Sequence, residues 1–231
     1  MLLTLWSPKG GSGTSVAAAS CALVLAASGR ARLADLDGDL PAVLGLATDP
    51  APGLTDWLLA GADAPSDALA RLSVEAGPGL SLLPAGAGDP RGAAPEAGAA
   101  LAVLLRDDPA PTVADLGRAE APALEAMVEV ADASVVVVRG CYMALRRAVH
   151  RALTARATGA VLVEEPGRSL GEREVADVLG VPVLATFPLR PAVARTVDAG
   201  VLVVRPPDCL VRSARRLLGR LGMLGSEGAA A

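Results

Sequence analysis

Nine consecutive residues, Ser7-Pro8-Lys9-Gly10-Gly11-Ser12-Gly13-Thr14-Ser15, have the types and spacing to hold a phosphate chain. Gly10, Gly11 and Gly13 let the backbone curl with its N–H groups converging, and Thr14 and Ser15 place hydroxyls where the loop ends. Of the 21 Lys and Arg residues only Lys9 is a lysine. An ammonium is a compact point charge and a guanidinium a planar fork, and the two are not equivalent on a phosphate. A chain that otherwise uses arginine therefore sets its one ammonium in this loop. The loop departs from the pattern G-x-x-x-x-G-K-[ST], which wants lysine directly after the last glycine. Thr14 stands in that place, and Pro8 stands where the first glycine belongs. A threonine hydroxyl donates one neutral hydrogen bond, whereas a hydrogen bond to a charged group is worth roughly 1.5–3 kcal/mol. Affinity for a phosphate ligand, or its turnover, is expected to suffer unless another cation compensates.

Carboxylates recur where such a loop would need them. Asp35-Leu36-Asp37-Gly38-Asp39 follows a short apolar run, and Asp115 ends another, Pro111-Thr112-Val113-Ala114. Acids at the C-terminal ends of parallel strands share an edge with a phosphate loop and can hold a hard cation such as Mg²⁺ or an attacking water. Asp37 is the strongest candidate of the first group, ahead of Asp35 and Asp39. Asp115 has the Walker-B arrangement, an apolar strand ending in an acid downstream of the loop, and Gly117 beyond it permits a close turn.

Positioning these groups requires a strand before the loop and a helix after it. Residues 1–6 are apolar and residues 16–28 are alanine-rich, so strand, loop and helix follow in order. Further strands are expected at 31–35, 79–84, 111–115, 133–138, 160–163 and 181–186, the run at 133–138 being central because it is β-branched and unbroken. Helices are expected at 40–46, 54–59, 101–105 (the end of one), 121–131, 144–155, 169–179 and 191–199, with a Gly/Pro/Ala-rich loop at 85–97. Strands alternating with helices predict an α/β fold of three layers, a mainly parallel twisted sheet with helices on both faces. Residues 1–224 are read as a single domain and 225–231 as a disordered tail.

Composition narrows the partners. Hydrophobic residues make up 52% and aromatics 2%, so the core is ample and aliphatic. A net charge of −4 argues against wholesale coating of nucleic acid. No apolar run reaches the length of a membrane span and no basic leader precedes one, which points to the cytoplasm. Cys21, Cys141 and Cys209 lie too far apart for a disulfide framework or a CxxC metal site. His150 sits among arginines with no acid or nucleophile pattern nearby and is read as a surface or partly buried residue, not a catalyst. In the stretch 209–224, Leu210, Val211, Ala214, Leu217, Leu218 and Leu221 share one face, and Arg212, Arg215, Arg216 and Arg220 face away. A core-packing last helix explains this pattern first. Contact with DNA phosphates comes second and a membrane surface third.

With these pieces placed, the chain resembles the ParA/MinD family of deviant Walker-A P-loop ATPases over nearly its whole length. Lys9-Gly10-Gly11-Ser12-Gly13-Thr14-Ser15 is similar to the family's K-G-G-x-G-K-[ST], and Asp35-Leu36-Asp37 to its D-x-D strand end. Leu80 to Gly86, Ala131-Asp132 through Leu145-Arg146, and Gly180-Val181-Pro182-Val183 through Pro188 and Val193 resemble later family segments in order and spacing. The resemblance implies the P-loop NTPase fold, ATP or ADP with Mg²⁺ as cofactor, and a homodimer closed around the nucleotide. Gly10 to Ser15 would cradle the phosphates, and Lys9 would cross to the partner's phosphates. Ser15 would bind Mg²⁺, Asp37 would position the attacking water on the metal side, Asp115 would take the Walker-B role, and Pro188 would lie near the adenine. Such proteins position cargo: chromosomes, plasmids, the division site, pili or flagella, through a protein partner or adaptor. Two features depart from the family. Thr14 replaces the lysine that serves its own subunit's nucleotide, and Glu164-Glu165 stands where the family commonly has an Asn-containing turn that reads the base. The paired interface cysteines of redox relatives have no counterpart.

Three readings follow. The first is a cytoplasmic positioning protein, nucleoid- or membrane-associated in some states, that dimerises around ATP and Mg²⁺ with weak or no hydrolysis. The second is a pseudo-ATPase scaffold that dimerises without nucleotide and localises a partner machine. The third is an active ATPase in which Arg118 or Arg139, both following strand ends, supplies the missing charge.

Overall fold

A strand covered on both faces has no solvent side to make polar, and Leu2–Trp6 shows this: all five of its side chains are buried. The computed structural model describes residues 1–62 and 67–224. Within them β1 (Leu2–Trp6), β2 (Ala31–Asp35), β3 (Val74–Gly77), β4 (Leu80–Leu83), β5 (Thr112–Asp115), β6 (Ala133–Arg139), β7 (Gly159–Glu164) and β8 (Val183–Pro188) form one sheet. Its order is β3-β4-β2-β5-β1-β6-β7-β8. Every pairing is parallel except β3 with β4. Parallel neighbours bring their C-terminal ends to one edge, so the segments after β1, β2, β5, β6, β7 and β8 all open there.

The strand period of two divides the interior into two cores. Leu2, Trp6, Ala114, Val136, Val138 and Leu162 face one side. There they meet α3 (Leu54–Ala60), α5 (Pro95–Asp107), α6 (Pro122–Val130), α7 (Tyr142–Val149) and α8 (Glu172–Leu179). Leu3, Leu5, Val113, Val135, Val137, Val161 and Val163 face the other. There they meet α1 (Thr14–Ala26), α2 (Leu40–Leu44), α9 (Pro191–Asp198) and α10 (Asp208–Arg220). A further short helix, α4 (Ala68–Leu72), precedes β3. Small side chains suit α1, which is buried on nearly all sides between the sheet and α10.

Several expectations shift. β3 is an added edge strand, and Gly77-Pro78-Gly79 is the turn that folds it against β4. The loop expected at 85–97 holds a 3-10 turn, Pro90–Gly92, and gives way to α5 at Pro95. The helix expected over 144–155 stops at Val149, and a 3-10 turn covers Ala152–Arg156. There the Thr154 hydroxyl donates to the Ala148 carbonyl at 2.6 Å, and Arg151 turns inward to the Arg118 and Ala119 carbonyls. Helix α10 is the expected core-packing helix: Leu210, Ala214, Leu217 and Leu218 are buried with α1 in one core. The tail expected to be disordered, 225–231, lies outside the described residues. Among the described residues no helix is long and apolar enough to cross a membrane.

Candidate phosphate and metal site

The loop between β1 and α1 holds its curl with its own hydroxyls. Ser7 Oγ and Ser12 Oγ both donate to the Lys9 carbonyl, at 2.7 and 2.6 Å. Ser7 N–H donates to the Gly117 carbonyl at 2.8 Å, which ties the loop to the segment after β5. Gly11 and Gly13 have φ of 71° and 90°, a backbone region that side chains with a Cβ rarely adopt. No atom stands within 4 Å of where a Cβ would project from Gly10 or Gly11, so the backbone is open above them. The first turn of α1 begins at Thr14, and its free N–H groups and helix dipole favour an anion. A cavity of about 250 Å³ lies over the loop, bounded by residues 10–16, Asp37, Asp39, Gly117, Arg118 and Arg139.

The three strand-end acids differ in their duties. Asp35 is fully buried and accepts N–H bonds from Asp37 (3.1 Å), Gly38 (2.7 Å) and Leu40 (3.1 Å). Burial pushes its carboxyl up to about 6 despite those three bonds. Its oxygens are spent on the turn that aims Asp37, so Asp35 is a positioning group. Asp37 keeps solvent contact at the cavity. Partial desolvation, then the like charge of Asp39, raises its carboxyl, and Arg118 lowers it. Asp115 is buried; Gly117 N–H reaches its Oδ1 at 3.0 Å and the Ser15 hydroxyl stands near enough to favour the ionised carboxylate. Its Oδ2 is buried without a partner. Burial pushes the Asp115 carboxyl up to about 7; Ser15 and Gly117 pull it down, and Asp35 and Asp37 add like charge. An orphaned carboxylate oxygen beside a serine hydroxyl is the donor set of a hard cation. Among the described residues no three His, Cys, Asp or Glu side chains gather into a complete metal cage. That suits Mg²⁺, which is held by one or two carboxylates while phosphate oxygens and water fill the rest.

Comparison with solved structures decides the architecture. The septum site-determining protein MinD of Pyrococcus horikoshii, complexed with Mg-ADP, superposes with a TM-score of 0.78 at 22% identity, covering 100% of this chain and 99% of that one. A ParA family ATPase of Chlorobium tepidum superposes at 0.76 with 21% identity, covering 92% and 95%. Aquifex aeolicus MinD from a MinC:MinD complex follows at 0.73 with 20% identity, covering 94% and 96%. The fold is that of the ParA and MinD ATPases. In sequence the chain is 34% identical over 228 residues to uncharacterized proteins of Mycobacterium tuberculosis, from strains CDC 1551 and H37Rv. The match covers 94% of this chain and 63% of those proteins, so the chain spans less than two thirds of the curated relatives it matches. No family model matches the chain.

Within this ParA/MinD-type fold the expected residues divide into two sites. Gly10, Gly11, Ser12, Gly13, Thr14, Ser15 and Asp37 line the phosphate cavity, and Asp115 lies beneath it against Ser15. The Ser12 hydroxyl is committed to the loop and not to a ligand. Lys9 does not line its own chain's cavity; only its carbonyl serves the loop. Pro188 lines a separate cavity of about 420 Å³ farther along the sheet edge, with Glu164, Glu165, Arg168 and Thr186. Ser7, the first residue of the loop, serves its curl rather than a ligand, its hydroxyl donating to the Lys9 carbonyl as Ser12 does. The α10 arginines are partly engaged within the chain: Arg220 donates to the Val183 carbonyl at 2.8 Å and Arg216 lies 4.0 Å from Glu172.

Proposed function

We propose that the chain binds a nucleoside triphosphate with Mg²⁺ over the Gly10–Ser15 loop and dimerises around it, acting as a positioning protein with weak or no hydrolysis. The observation that carries this reading is the Asp115 carboxylate, with one buried unpartnered oxygen and the Ser15 hydroxyl beside it. Buried polar groups without partners are rare, and a cation supplies the partner here. Ser15, Asp115 and Asp37 would hold Mg²⁺, which would neutralise charge on the phosphate oxygens. The loop N–H groups orient the phosphates, and Asp37 orients a water. Lys9 is left for a partner's phosphates because it does not face its own cavity. The Mg-ADP complexed with Pyrococcus MinD and the MinC in complex with Aquifex MinD support nucleotide and protein adaptor as the classes of partner. Arg212 and its α10 neighbours offer a basic face for DNA.

Light scattering with and without ATP and Mg²⁺ tests this. A dimer that forms only with both, and that Lys9→Ala abolishes, is the expected result; a monomer indifferent to nucleotide refutes it. Thr14→Lys is expected to add turnover, because the acids and loop around it are in place. A second reading, a scaffold that dimerises without nucleotide, draws on the missing charge at Thr14; it requires a dimer in nucleotide-free buffer.

A further inference from the structure

Thr14 brings no charge to the cavity over the loop, and two arginines border it, Arg118 and Arg139. They are not equivalent. Arg118 follows β5, is bound to Glu120 at 3.0 Å and stands beside Asp37. Arg139 is the last residue of β6. Trp6, where β1 ends and the loop begins, pairs with Val136, so β6 runs three residues farther and carries Arg139 alongside the loop. Strand parity sets its direction. Val135 and Val137 lie in the core shared with α1, and Arg139 has their parity, so its side chain leaves the sheet on the face where α1 begins. Its register partner Val163 would be 3.6 Å from a Cβ on Gly13.

Arg139 is also under-compensated. Its Nε is buried without a hydrogen-bond partner. Its one ion pair, to Glu165, is 4.0 Å long. Glu165 Oε2 is already held by Arg168, through Nε and a terminal nitrogen, both at 2.9 Å. Arg139 lines the cavity over the loop with no close carboxylate of its own, and its planar guanidinium matches the bidentate geometry of a phosphate.

We propose that Arg139 binds the ligand's phosphate oxygens from the same subunit, supplying from β6 the charge that Thr14 does not bring. This rests on the phosphate-site reading above. Glu165 competes with the ligand for Arg139, so removing that carboxylate tightens binding, and only while Arg139 is present.

The test is calorimetric titration of ATP and of inorganic tripolyphosphate, each with Mg²⁺, into wild type, Arg139→Gln, Arg118→Gln, Glu165→Gln and the Arg139→Gln/Glu165→Gln double variant, with thermal unfolding of each ligand-free protein. Arg139→Gln is expected to weaken both ligands about ten- to a hundredfold, the loss of one charge-assisted contact. Arg118→Gln changes affinity less, and Glu165→Gln tightens it a few-fold in the wild-type background but not in the double variant. A merely structural role for Arg139 would shift unfolding and leave no such coupling. If ATP binds Arg139→Gln as tightly as wild type, or Glu165→Gln tightens both backgrounds equally, the Arg139 assignment falls and the nucleotide reading stands. If tripolyphosphate binds in an Arg139-dependent way and ATP does not bind, the assignment stands and the nucleotide reading falls. If wild type binds neither ligand, both fall.

Discussion

Replacing Asp115 by asparagine is expected to stabilise the ligand-free protein at pH 8 while removing its response to Mg²⁺. The carboxyl is raised from 3.8 to about 7, chiefly by burial. At about 1.36 kcal/mol per unit, holding it ionised in the fold costs on the order of 4 kcal/mol. Asparagine keeps an oxygen for the Gly117 N–H. Its amide nitrogen takes the place of Oδ2, which has no partner, and an unsatisfied buried donor costs about 1–3 kcal/mol. The net gain is about 1–3 kcal/mol, or some 3–10 °C in unfolding temperature for a chain of this size. The sign depends on pH. Because the folded-state value lies above the unfolded one, the folded protein holds an extra proton between about pH 4 and 7, and wild-type stability falls as pH rises through that window. At pH 5 the native group is neutral, the penalty shrinks to about 1.5 kcal/mol and the advantage of asparagine disappears. Thermal unfolding in EDTA at pH 5 and pH 8 measures this. An Asp115→Asn protein less stable than wild type at pH 8, or one whose difference from wild type is the same at both pH values, would refute the argument that the buried acid awaits a cation.

Gly117→Ala places a Cβ at a φ of 53° where the Asp37 carboxylate already stands; Mg²⁺-dependent nucleotide affinity is expected to fall at least about tenfold, read by titration with Mg²⁺ and with EDTA. Arg151→Ala removes the guanidinium that donates to the Arg118 and Ala119 carbonyls, at 3.0 and 2.6 Å, pairs with Glu125 at 3.1 Å and lies 5.5 Å from the Trp6 ring centroid. Ala119, held there at a φ of 47°, loses its support, and urea unfolding should show a loss of about 2–4 kcal/mol; a loss under about 0.5 kcal/mol would mean that the turn after β5 supports itself.

The order of parts was legible along the chain because each part is a local signal. An apolar run, three glycines and an alanine-rich run specify strand, loop and helix within 28 residues, and short apolar runs ending in acids specify strand ends. Those signals placed Ser15, Asp37 and Asp115 in one site. What each acid does there was not legible, because burial and hydrogen bonding come from residues distant in sequence. Asp35 and Asp37 are two residues apart on the same turn, yet the fold spends one on backbone N–H groups and leaves the other at the cavity. Arg139 and Arg151 show the same division. A guanidinium at the end of a strand and one at the end of a helix carry the same charge, and in sequence Arg139 stands level with Arg118 as a candidate for the missing charge while nothing marks Arg151. Only the parity of β6 against α1 turns Arg139 toward the phosphate cavity, and only the proximity of Trp6 and the β5 turn draws Arg151 inward. Residue order alone determined the loop, its strand-end acids and the parallel sheet, since propensity and periodicity act over a few residues. Tertiary structure decided which charges are held, which are orphaned and which line the cavity, since the environment of a charge is built by strands brought together from across the chain.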